Sequence, residues 1–144
     1  MNNMTQINAY LSFNGNCREA MNFYEECFGG ELTLQTVEGS PMEDQFPETE
    51  RKKILHASLK NDDLVLLGSD VAGSGGLIKG NTISLSLNCS SESEIKSFFL
   101  HLSSGGQVVH PLHKFFAGTM GTITDKFEKD WLHYYEKQMN ITNK

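Results

Sequence analysis

The same sentence is written twice in this chain of 144 residues. "CREAMNFYEECFGG" (residues 17–30) and "SSESEIKSFFLHLSSGG" (90–106) each carry an apolar stripe of helical period, ended by paired glycines. Asn16 with Glu19, and Ser91 with Glu94, have the spacing of a capping box. Ala20, Phe23, Tyr24, Cys27 and Phe28 form the first stripe; Ile95, Phe98, Phe99 and Leu102 form the second. The stripes place Phe23 and Phe98 at equivalent core positions.

An alternating strand precedes each helix. In "INAYLSF" (7–13), Ile7, Ala9, Leu11 and Phe13 share one face, with Asn8, Tyr10 and Ser12 on the other. In "NTISLSLN" (81–88), Ile83, Leu85 and Leu87 oppose Thr82, Ser84 and Ser86. Three further strand candidates follow each helix: "ELTLQTVEG", "ILHASLK" and "DLVLLGS", then "QVVHPLH", "FFAGTMGTIT" and "DWLHYYE". The expected fold is therefore α+β: two repeated βαβββ modules forming a cup-shaped mixed sheet, with helices on its outer face. Module one spans 5–70, a Gly-rich connector 71–80, module two 81–136 and a tail 137–144, all within one domain.

The net charge of −6 disfavours nucleic acid and anionic membranes as partners. No apolar run is long enough to span a bilayer, and "MNNMTQINAY" lacks the basic and apolar regions of a signal peptide. Cys17, Cys27 and Cys89 are an odd number without C-x-x-C spacing, which fits reduced thiols in a cytoplasm. "NIT" at Asn140 matches a glycosylation acceptor that has no meaning in such a chain.

Particular words carry a resemblance across nearly the whole chain. "YLSFNGNCREAMNFYEECFGGEL", "ILHASL", "SLSL", and "DKF" at Asp125–Phe127 followed by Trp131 resemble the PhnB-like branch of the vicinal oxygen chelate superfamily. That superfamily contains glyoxalase, bleomycin resistance and extradiol dioxygenase proteins, and the branch is also described as related to demethylubiquinone methyltransferase. Glu128 stands where the branch commonly has glycine, so the final turn is expected to differ. The resemblance implies a homodimer, with the apolar, Gly-containing "FFAGTMGTIT" as an edge or exchanged element.

The resemblance also implies where a metal would sit: one ligand on the first and one on the last strand of each module. Those positions fall on Asn8, near Leu67, on Thr82, and near Leu132 or His133. Only His133 suits a divalent ion, so no metal ligands are assigned and no cofactor is expected, although a divalent metal is possible.

His101 reads as surface, and His110 and His113 as edge or loop residues around Pro111. In "ILHASLK", alternation points Ile54, His56 and Ser58 into the cup. His56 is then either a buried, satisfied histidine or a proton carrier and polar anchor near neutral pH. The expected site comprises Tyr10, Ser12, His56, Ser58, Phe116 and Trp131 as ligand-binding residues, with His56 also catalytic if there is catalysis. Phe115, Phe116 and Trp131 are core by default, and one of them would form an apolar wall.

"GSGGLIKG" lacks the G-K-[ST] ending of a phosphate loop, and no G-x-G-x-x-G follows a strand. The acidic-then-basic loop 38–53 is long enough to act as a lid. Two functions remain open. One is a small-molecule-binding protein of the resistance or sequestration type. The other is an isomerase, lyase or transferase acting on a small carbonyl or phosphonate-like substrate. A cup filled by its own side chains would be neither.

Overall fold

The computed structural model describes residues 5–71 and 76–137. Residues 72–75 of the expected connector, and 138–144 of the expected tail with Asn140, lie outside the described residues. The chain divides into two units, residues 1–79 and 80–144, and each is described by itself.

The first unit contains β1 (Ala9–Ser12), α1 (Cys17–Phe28), β2 (Glu31–Thr36), β3 (Ile54–Asn61) and β4 (Leu64–Ser69). After α1 the chain enters the far edge of the sheet and returns as an antiparallel meander. This sets β4 parallel against β1, in the order β1-β4-β3-β2. The second unit repeats the path with β5 (Leu85–Cys89), α2 (Glu92–Leu102), β6 (Gln107–Phe115), β7 (Gly118–Thr124) and β8 (Asp130–Glu136), in the order β5-β8-β7-β6. Here β5 and β8 are the parallel pair. The duplicated α+β reading is the observed architecture.

Several expectations are corrected. The buried stripe of α1 is Cys17, Ala20, Met21, Tyr24 and Phe28, whereas Phe23 and Cys27 are only half-buried. In α2, Ile95 and Leu102 are buried while Phe98 and Phe99 are half-buried. Phe23 and Phe98 are therefore not the central anchors of their helices. Asn16 makes no side-chain cap. Ser91 does cap α2, accepting from Glu94 N at 3.1 Å, and Glu94 answers at Ser90 N at 2.7 Å, one residue earlier than a standard capping box.

The leading strands begin later than alternation suggests, leaving Ile7 and Ile83 99% and 80% exposed. β7 is central in its sheet, whose edges are β5 and β6; β6 is interrupted by Pro111 and two register shifts. Such interruptions are common on protected edges.

The long loop is braced. Val37 N and Glu38 N donate to Lys53 O and Arg51 O at 2.9 and 2.8 Å, closing its base. Lys53 pairs with Glu50 at 2.7 Å and Arg51 with Glu43 at 3.4 Å.

The β7–β8 turn keeps the shape that glycine favours, contrary to expectation. Glu128 adopts φ 68°, and Asp125 N donates to Lys129 O across the turn at 2.8 Å. A left-handed non-glycine residue is strained; glycine relieves that strain, and its extra unfolded-state entropy offsets only part of the gain. Glu128→Gly should therefore stabilise the protein by about 1 kcal/mol. A thermal melt in which this variant unfolds no later than the parent would count against the argument.

Candidate functional site

α1 covers one face of the first sheet, as Gly68 shows: a Cβ added there would meet Phe13, Met21 and Cys17. Side chains on a strand alternate between faces, so Tyr10, Ser12, Leu67 and Ser69 fall on the other face, open at Tyr10 and Ser12 and closed over Ser69. The register runs Tyr10, Leu67, Ser58, Thr33 in one row across all four strands. His56 pairs with Gln35, and Ser12 with Ser69, on the same face. The Tyr10 and His56 rings lie 6.2 Å apart between centroids, tilted 45°.

The structure thus brings four of the six expected site residues, Tyr10, Ser12, His56 and Ser58, onto one open surface. Tyr10 is 55% exposed and His56 is exposed as well, so the buried, satisfied form of His56 is corrected. No hydrogen bond joins either His56 ring nitrogen to another described residue. Three other histidines have partners within the chain. His101 Nδ1 meets Ser97 O at 2.8 Å, His110 Nδ1 meets Thr122 Oγ1 at 2.9 Å, and His113 Nδ1 meets Pro111 O at 3.0 Å. Gln35, opposite His56, was not singled out from sequence, although the alternation of "ELTLQT" pointed to it.

Phe116 and Trp131 belong to the second unit, at opposite ends of its β7–β8 ladder. Phe116 is 94% exposed in the β6–β7 turn, edge-on to Phe115 at 5.5 Å. Trp131 is buried, its Nε1–H donating to Asp125 Oδ2 at 2.8 Å. It shares the helix-facing side of β8 with His133, which meets the ring of Phe99 at 5.0 Å. The open face of this unit carries Tyr134 against Phe115, with ring centroids 5.8 Å apart. That pair was not anticipated.

The residues at the superfamily's metal positions do not fit a metal. Asn8 and Thr82 precede their strands, Leu67 offers no donor, and His133 is fully buried on the helix side, away from the open face. No group of three or more His, Cys, Asp or Glu among the described residues is arranged to hold an ion. Cys89 is no nucleophile at neutral pH: burial, then the nearby Glu94 charge, push its thiol up to about 12. No helix of the described residues is long and apolar enough to cross a membrane.

Comparison with known proteins gives the family and the fold. A solved structure of protein PA1353 from Pseudomonas aeruginosa is 37% identical over 94% of this chain and 100% of its own, with a TM-score of 0.81. Protein YjdN of Escherichia coli is 29% identical, over 92% of this chain and 96% of its own. Two structures share the fold at lower identity. The putative 3-demethylubiquinone-9 3-methyltransferase, PhnB protein, of Bacillus cereus is 22% identical, covering 91% of this chain and 99% of its own, with TM-score 0.71. A glyoxalase-related enzyme of Fulvimarina pelagi is 18% identical, covering 92% and 89%, with TM-score 0.61. The family model described as 3-demethylubiquinone-9 3-methyltransferase matches residues 5–132, and the chain belongs to that PhnB-like family, built on the glyoxalase/bleomycin resistance fold.

Proposed function

We propose that the protein is a small-molecule-binding member of the glyoxalase/bleomycin-resistance type, holding its ligand on the open face of the first sheet without the superfamily's standard metal site. The observation that carries this reading is the exposed pair Tyr10 and His56 on the face of the sheet opposite α1. Exposed polar side chains without protein partners on a rigid sheet are groups a ligand can satisfy.

His56→Ala should remove the ligand-induced rise in melting temperature found by screening metabolites against the parent protein. A ligand at 100 times its Kd adds about 2.7 kcal/mol, well within reach of such a screen. Unfolding stability should change by no more than about 0.5 kcal/mol, because the side chain is exposed. An undiminished ligand shift in the variant would overturn the assignment of His56.

A second reading, an isomerase, lyase or transferase, is supported by the same exposed imidazole, a side-chain type that serves in general acid–base catalysis. Turnover of the screened ligand, lost in His56→Ala, distinguishes catalysis from binding.

The partner we propose is a second copy of the chain. The unpaired sheet edges and the exposed Ile7 and Ile83 support it, since apolar side chains beside open edges invite pairing. Light scattering at high micromolar concentration should report a dimer, and a monomer there would remove this part of the proposal.

A further inference from the structure

We infer that the first sheet's open face selects a small ligand bearing an oxyanion, a carboxylate or phosphate group, which His56 and Tyr10 hold by hydrogen bonds. This inference rests on the site assignment above and adds the ligand's chemical class.

Around His56 stand the Tyr10 phenol, the Ser58 and Thr33 hydroxyls and the Gln35 amide, all polar and uncharged. The Gln35 Nε2 is engaged with Thr36 O at 2.8 Å, and the Ser69 hydroxyl oxygen accepts from Val71 N at 2.9 Å. The imidazole of His56 and the phenol of Tyr10 have no such partner among the described residues. A neutral imidazole keeps one N–H donor, and a phenol keeps one O–H.

Among the strand residues of this face, formal charge is confined to one end. Glu31 and Lys60 stand opposite each other in register. They lie four residues from Gln35 and His56 along β2 and β3, about 13 Å at the rise of a strand. No strand carboxylate on this face therefore lies beside His56 to hold a cationic ligand or to consume the imidazole N–H. Donors without a nearby acceptor charge suit a ligand whose oxygens carry the negative charge, because hydrogen bonds to ionised acceptors are about twice as strong as neutral ones. The chain's net charge of −6 opposes anions at long range, but its field is screened within about 8 Å at physiological ionic strength.

The test uses four small probes on the full chain: acetate, inorganic phosphate, acetamide and tetramethylammonium. Each is titrated to about 50 mM, well above a millimolar Kd. NMR signals of the His56 and Tyr10 rings, identified with His56→Ala and Tyr10→Phe, report binding. The expected result is a saturable shift of both rings with acetate or phosphate and none with the other two, with about tenfold weaker binding in Tyr10→Phe. Whichever anion binds more tightly identifies the source of the oxyanion. Shifts of the same rings by acetamide or tetramethylammonium, equal to or exceeding those by the anions, would overturn the ligand class and leave the site assignment standing. Silence from all four probes would overturn the oxyanion inference, while the site assignment is decided by the metabolite screen with His56→Ala.

Discussion

Replacing Asp70 with alanine is expected to destabilise the protein by roughly 3–5 kcal/mol, each orphaned buried N–H costing about 1–3 kcal/mol. Asp70 follows β4, and only 5% of it is exposed. Its Oδ1 accepts from Gly15 N and Cys17 N, and its Oδ2 from Ile54 N, all at 2.9 Å. Its own N–H donates to Ile54 O at 2.8 Å. One carboxylate thus fastens the β1–α1 turn to the start of β3 and places a negative charge at the positive end of α1. Alanine would remove the carboxylate that accepts from the buried Cys17 and Ile54 N–H groups. Asp70→Asn keeps one acceptor oxygen and should fall between the two. Urea unfolding monitored by circular dichroism gives both values, and a loss below about 1 kcal/mol with an unchanged m-value would show that the clamp does not carry the turn. Asp125 plays a related part in the second unit: its Oδ1 accepts from Phe127 N at 2.8 Å and Lys129 N at 3.0 Å, and its Oδ2 from Trp131 Nε1.

That clamp also marks the limit of what could be read from sequence. The order of elements, the glycine stop of α1 and the common face of Tyr10, Ser12, His56 and Ser58 all follow from the local sequence, and the structure repeats them. The cap of α1 does not. Asn16 and Glu19 had the right spacing, but a carboxylate more than 50 residues away took the turn's N–H groups first. The buried stripe of α1 was misplaced because Met21 and Phe23 are both apolar, and helical period alone cannot choose between neighbouring stripes. The starts of β1 and β5 were overextended because a strand lasts only while a partner lies beside it. β1 has only Leu66 to Ser69 to pair with. Facing was least legible where alternation is weakest. "DWLHYYE" is apolar or aromatic at most positions, so its pattern did not say on which side His133 would lie. Trp131 went the same way, while Phe116 landed in an exposed turn.

His133 is expected to make the protein lose about 3 kcal/mol of stability as pH falls from 6.5 to 4, at about 1.36 kcal/mol per pKa unit. Its side chain is fully buried, its ring meets that of Phe99 edge to face, and neither ring nitrogen has a hydrogen-bond partner among the described residues. Burial disfavours the imidazolium and pushes the pKa down to about 4. In the unfolded chain the ring titrates near 6.5. Between those values the unfolded state binds a proton that the folded state refuses, so acid favours unfolding. Above pH 6.5 both states are neutral and the contribution is constant; below pH 4 both are charged and this residue adds no further loss. His133→Leu removes the titrating group and two unsatisfied nitrogens while keeping an apolar side chain under α2. At pH 7 the variant should match or exceed the parent, by up to about 2 kcal/mol, since unpaired buried polar atoms cost that order. Its advantage should then widen steadily as pH falls to 4. Denaturant unfolding of both proteins at several pH values across this window gives the difference directly. Parallel stability profiles would show that His133 is charged, or reached by water, in the folded state.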